Sequence, residues 1–325
     1  GERITTPQTS VKIPKGSTGN KAYTANWQVI KYTIITLLEG GNAGSSGAYV
    51  YTVEETFTLP TPTRTGYTFW GWTGEGITKP QPSVTIPRGS TGDKTYIENW
   101  VETGYTITLD LNGGSGKEKV VYTITDEDFE LPTPTRNGYE FVGWTGERIT
   151  TPQTSVKIPK GSTGNKAYTA NWKVIRYTIT LVTNGGAVIA SIRYTVEDSV
   201  TLPIPPERPG YEFAGWVLDG SGQFPSTPMI IPEGSTGDRI YEAEWRVATY
   251  TITYVSHGKA YNWVQYTIKN QVYFGAPEED PSYYLPGYTF VGWKIDGVEG
   301  TPRSYMLPKG SYGNRTATML WEPIP

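Results

Sequence analysis

The chain has 325 residues, a formal charge of −3, no cysteine and a single histidine. A charge this small does not drive binding to nucleic acid, and without cysteine there are no disulfides or thiolate metal sites. One imidazole also excludes a His-rich metal site. Its 24 Tyr and 11 Trp, with many Thr between 38 Gly and 25 Pro, read as an all-β chain. No apolar run reaches the length of a membrane span, so no membrane insertion is expected.

The first 27 residues, Gly1–Trp27, recur unchanged at Gly146–Trp172. Two further markers set a period. The Trp of each GY-x-F-x-GW segment stands at 72, 144, 216 and 293, and the Trp ending each unit at 27, 100, 172, 245 and 321. Both give a unit of about 72 residues, which means an array of small domains. The expected units are 31–100, 104–172, 176–245 and 249–321, preceded by a half unit, 1–27.

In the second unit, Tyr105–Leu111 alternates like a half-buried strand and Asn112-Gly113-Gly114 marks a turn. A strand over Val120–Ile124 follows, then an acidic step (Asp126, Glu127, Asp128) and a Leu131-Pro132-x-Pro134 crossover. Tyr139–Trp144 is a third strand, a loop carries Pro152, and Lys166–Trp172 closes the unit after a Gly161–Gly164 turn. Only Lys173, Val174 and Ile175 separate this unit from the next, which predicts a semi-rigid array.

Alternation assigns the core. Tyr168, Ala170 and Trp172 share a face, and the fourth unit has Ala317, Met319 and Trp321 in those places. Exchanging large-small for small-large conserves volume, so this face is expected to be buried. Glu98 replaces the small residue in the first unit and is expected at a rim. Strict alternation places Tyr139, Phe141 and Gly143 on one face and Trp144 on the other. The predicted structural core includes Trp27, Trp72, Trp100, Trp144, Trp172, Trp216, Trp245, Trp293 and Trp321.

YTITLDLNGG, LPTPTRNGYEFVGW and IPKGSTGNKAYTANW resemble the internalin B-repeat, also called the Listeria–Bacteroides repeat. The resemblance covers four whole units and one half. It implies a small β-grasp-like domain in tandem on secreted or wall-anchored surface proteins of bacteria, with a Gram-positive source expected. The expected fold is all-β to α+β, an elongated rod of such repeats. The expected role is a non-enzymatic stalk, or else an adhesin module for a host protein or glycan. Expected partners are neighbouring repeats of the same or another chain. The fourth unit departs from the pattern, with Ser256-His257-Gly258 at the turn and Gly275-Ala276-Pro277 where Leu-Pro is expected. It reads as a cap or as the most diverged unit.

No cofactor is called for. Asp126, Glu127 and Asp128 are the carboxylate chemistry a hard cation takes, but no Asp-x-Asp-x-Asp-Gly loop accompanies them. A solvated turn is the plainer reading, and the fourth unit has Lys269-Asn270 there. His257 reads as a polar turn residue. Trp70 and Trp263 fall outside the repeated pattern and are the candidate binding residues, with local packing as the alternative. Gly1–Trp27 has no first half to close its two expected strands. Its complement is expected upstream in a longer chain or in another chain.

Overall fold

The computed structural model describes residues 4–38, 45–277 and 286–325. They form strands, turns and loops with no α-helix, so the α+β variant of the expected fold is not realised among them.

The first repeat contains β1 (Lys31–Leu38), β2 (Ser45–Thr52), β3 (Phe57–Thr58), β4 (Tyr67–Gly74), β5 (Ile77–Gln81), β6 (Thr85–Ile86) and β7 (Lys94–Glu102). Its sheet runs β2-β1-β7-β4-β5. The central β1 and β7 are parallel, which demands the long crossover carrying the other strands. The β3–β6 ribbon lies outside this sheet.

The second repeat repeats this order with β8 (Tyr105–Asp110), β9 (Lys119–Tyr122), β10 (Phe129–Glu130), β11 (Tyr139–Gly146), β12 (Ile149–Gln153), β13 (Lys157–Ile158) and β14 (Lys166–Val174). The third contains β15 (Tyr177–Val182), β16 (Ile192–Tyr194), β17 (Val200–Thr201), β18 (Tyr211–Leu218), β19 (Ile230–Ile231) and β20 (Arg239–Val247). The fourth contains β21 (Tyr250–Ser256), β22 (Lys259–Tyr266), β23 (Val272–Phe274), β24 (Tyr288–Ile295), β25 (Tyr305–Leu307) and β26 (Arg315–Pro323). These last two sheets have four strands, because a single bridge, Trp216 to Ser226, stands in the third repeat where β5 and β12 pair. The expected loop around Pro152 is thus a strand, and Pro152 is tolerated because β12 is an edge.

Strict alternation fails in β4. Phe69 faces Trp100 and Gly71 faces Asn99, so Trp70 is the extra residue of a β-bulge. The same shift occurs at Phe213/Gly215 and Phe290/Gly292. It returns the GW tryptophan to the Phe face, correcting the expectation that the two lie on opposite sides. The glycine admits the neighbouring edge segment: a Cβ on Gly71 would lie 2.7 Å from the Gln81 backbone.

Trp72, Trp144, Trp216 and Trp293 are buried, and Trp100 nearly so, whereas Trp172, Trp245 and Trp321 are half-buried. Phe69, Phe213 and Phe290 each bridge the two tryptophans of their repeat at 5.2–5.7 Å. Tyr168, Ala170, Ala317 and Met319 are buried, as the volume exchange implies. Glu98 is not at a rim: it is 2% exposed and its carboxylate accepts from Trp100 Nε1 at 3.1 Å. Polar pairing allows a carboxylate where sequence alone suggests solvent. In the fourth repeat Phe274 fills the place of Leu59, Leu131 and Leu202, so Gly275 stands for the proline and not for the leucine.

Residues 4–30 hold no strand, and Trp27 is 92% exposed. Neither its expected strands nor its expected core position is realised. A β-ladder needs a neighbouring strand, and within repeat 2 the same residues find theirs in β8, β10 and β11.

Candidate functional site

Contacts group the chain into two compact units, one of residues 1–112, 116–133 and 143–170, the other of 113–115, 134–142 and 171–325. Within them, three features recur from repeat to repeat.

The first is a latch between the halves of each repeat. Tyr51, Tyr122, Tyr194 and Tyr266 are buried, and each hydroxyl donates to the last glycine carbonyl of the Gly-Ser-x-Gly turn, at 2.6–2.7 Å. The next residue, Asp93, Asn165, Asp238 or Asn314, accepts from an amide of the first strand at 2.7–2.9 Å. These turns are therefore clasps that fix β1 to β7 and its equivalents.

The second is the acidic step. Asp126 accepts from the Thr123 amide at 2.8 Å and Asp198 from the Thr195 amide at 2.7 Å. Asn270 does the same for Thr267, so the position needs an acceptor and not a charge. The Thr195 hydroxyl and amide hold the Asp198 carboxyl below the usual aspartate range. Glu127 pairs with Lys160 and Asp128 with Lys157, each at 2.6 Å. The three weak metal candidates are thus each engaged with protein groups, Lys160 serving both Glu127 through Nζ and Asp128 through its amide. Among the described residues, no three His, Cys, Asp or Glu side chains converge on a possible ion position.

The third feature is a junction that sequence reading missed. A Cβ on Gly66 would lie 2.5 Å from Ile124 Cδ1, and one on Gly138 equally close to Val196 Cβ. Gly210 meets Ile268 in the same way. Each glycine carbonyl also accepts an amide from the linker: Thr103, Ile175 and Ala248 donate at 2.9–3.0 Å. Tyr139 donates its hydroxyl to Glu197, and Thr125 donates to Glu102 at 2.8 Å. The available signal was the invariant Gly before each Tyr, paired with an apolar residue 58 positions later.

Of the candidate binding residues, Trp70 is 62% exposed and Trp263 64%. Trp70 projects from the bulge beside exposed Val101, on a sheet whose outward side also carries Val50 and Ile35. Trp263 pairs with Thr253 on β21. A cleft of about 500 Å³ in the fourth repeat is lined by Tyr254, Tyr261, Asn262, Trp263, Phe274 and Met319, among others. His257 sits in the turn between β21 and β22, with its ring stacked on Trp321 at 6.1 Å. No helix of the described residues is long and apolar enough to cross a membrane.

The model of the Listeria-Bacteroides repeat domain matches residues 32–95, 105–171, 177–236 and 250–309. Among curated proteins, the chain is 26% identical over 287 residues to a protein of Evansella cellulosilytica named "Putative Gly-rich membrane protein", covering 85% of this chain and 32% of that one. A second protein of that organism, "Putative membrane protein", is 24% identical over 84% of this chain and 40% of its own length. Internalin H of Listeria monocytogenes is 32% identical over 83 residues, 26% of this chain and 15% of that protein. The chain thus spans roughly a third of the length of the first two relatives. With the family model matched four times in tandem, the chain belongs to the Listeria-Bacteroides repeat domain family.

Proposed function

We propose that this chain is a non-enzymatic, extracellular stalk segment of a bacterial surface protein, in which successive β-grasp-like repeats hold a functional head away from the cell. The observation that carries this reading is the junction: the same glycine-on-aliphatic contact and linker hydrogen bond recur at Gly66, Gly138 and Gly210. A contact repeated at a fixed offset suits a spacer, because it sets one relation between neighbours and resists bending. The β-grasp-like reading is supported by a parallel central pair flanked by antiparallel neighbours, with an irregular segment in place of a crossover helix. Names of relatives that mention membranes, and an internalin, support a surface location. A strand of eight or nine residues spans roughly 30 Å, so four repeats end to end would reach on the order of 120 Å. Small-angle scattering tests this, with a rod-like profile expected. A compact, near-spherical particle would overturn it.

The second reading is an adhesin module that stacks a host glycan or protein side chain on Trp70 and Trp263. Their exposure favours it. Glycan-array binding that Trp70→Ala and Trp263→Ala abolish would establish it, and an array without signal favours the spacer.

A further inference from the structure

We propose that β2, the edge strand of repeat 1, pairs antiparallel with the β2 of a second copy of this chain, about a two-fold axis at Tyr49. The pairing does not depend on whether the array serves as a stalk.

Each repeat has one such edge, since β2, β9, β16 and β22 each end a sheet beside the first strand of the repeat. In repeat 1 the Thr33 amide donates to Asp93 at 2.7 Å, away from β2, so the Thr33–Val50 pair is not hydrogen-bonded. The amide and carbonyl of Val50 therefore point off the edge, and by alternation those of Ala48 do too. The Gly47 carbonyl, on the opposite parity, faces inward and accepts from Thr36 Oγ1 at 3.1 Å. Ala48 and Val50 are exposed, and among the described residues no group meets their outward amides or carbonyls.

Such rows are templates for pairing, and folded sheets guard them. The other three edges are guarded. β9 has four residues and carries Lys119, and β16 has three, with Arg193 in the place of Val50. β22 has eight, but the Asn262 side chain accepts the outward amide of Trp263 at 2.8 Å. β2 also has eight residues and no charged side chain. Its outward row is closed at Thr52, whose amide donates to Glu55. The opening does not come from where the chain begins, because Val121, in the same place in repeat 2, is 71% exposed although repeat 1 precedes it.

A second copy fits this edge by its own register. With Tyr49 opposite its counterpart, Ala48 faces Val50 of the second copy and Val50 faces Ala48. These are the residues with outward backbone groups, so each pair exchanges both N–H···O bonds. A small side chain lies against a β-branched one, and no like charges meet. The same operator on β9 or β16 would bring Lys119 or Arg193 roughly 7–8 Å from its own counterpart. On the inner face, Tyr49 packs on Phe57 and Tyr51 on Tyr32, both at 5.6 Å, which holds β2 ready for pairing.

Sedimentation equilibrium of the full chain tests this, with a concentration-dependent monomer–dimer equilibrium expected below about 1 mM. Val50→Arg installs the residue that repeat 3 carries in this place, so the fold should accept it. It acts twice across the two-fold axis and should raise the dissociation constant roughly tenfold or more. Val121→Arg, the same change on β9, should leave that constant unaltered. Because the chain has no cysteine, Tyr49→Cys reports the register. A disulfide-linked dimer is expected under a mild oxidant, and none from Val120→Cys. A chain that stays monomeric throughout would leave the edge to a foreign strand and overturn self-pairing. A dimer that survives Val50→Arg, or that Val121→Arg weakens equally, would place the second copy elsewhere and overturn it as well. A dimer weakened by Val50→Arg but not trapped through Tyr49→Cys would overturn the axis.

Discussion

Phe69 and Trp72 lie three residues apart on one strand, yet their rings meet on one face at 5.2 Å and 65°. The bulge at Trp70 and the positive φ of Gly71 make this possible. Gly71→Ala is expected to cost about 2–3 kcal/mol, since the added Cβ meets the Gln81 backbone in a region that L side chains avoid. Calorimetry would show the loss. An unchanged Tm would mean that the bulge does not need its glycine.

Because the bulge sends Trp70 outward and Trp72 inward, the two tryptophans should separate cleanly. Trp72→Ala removes a side chain 1% exposed and should cost about 3–5 kcal/mol. Trp70→Ala should change stability by no more than about 0.5 kcal/mol. Urea unfolding of both variants checks the contrast, and a large effect at Trp70 would assign it to packing.

The Tyr194 hydroxyl is a clasp between the halves of repeat 3, donating to Gly237 and accepting from Arg239 Nε at 3.2 Å. Tyr194→Phe keeps the ring volume and leaves the half-buried Gly237 acceptor unmet, at an expected cost of about 1 kcal/mol. A neutral result in chemical denaturation would show that water replaces the hydroxyl.

Gly138→Ala strikes Val196 across the junction at a φ of 76°, so a loss of about 1–3 kcal/mol is expected. Limited proteolysis should accelerate at 173–176. Adding Val196→Gly, which removes the Cβ at 2.5 Å that alanine would keep, should recover part of the loss, though not the φ strain. Absence of any recovery would mean that the contact is not what couples the repeats.

The Asp198 turn gives a pH dependence of known sign. Hydrogen bonds from Thr195 lower the folded-state pKa from 3.8, so the contribution is fully present above that value. It is lost as pH falls through the lower folded-state value. Asp198→Asn should keep the turn, as Asn270 does for Thr267, and flatten this acid limb. Thermal melts between pH 5 and about 2.5 would reveal it, and identical acid limbs in the two proteins would count against the turn.

Period, strand-rich character and most of the buried tryptophans were legible in the chain, because they follow from local pattern repeated four times. The volume exchange between Tyr168/Ala170 and Ala317/Met319 located a buried face for the same reason. What local pattern could not reach depends on residues distant in sequence. Counting by twos mislaid Trp144, because a bulge such as that at Trp70 is defined by the neighbouring strand. Polarity mislaid Glu98, because its burial depends on the Trp100 indole. Identity with 146–172 suggested strands for 1–27, but a half repeat by itself has no ladder to join, and Trp27 stands in solvent. The sequence by itself determined the unit and its count. The tertiary structure decided which face each aromatic occupies and how one repeat meets the next, because hydrogen-bond partners and close backbone approach exist only between segments brought together.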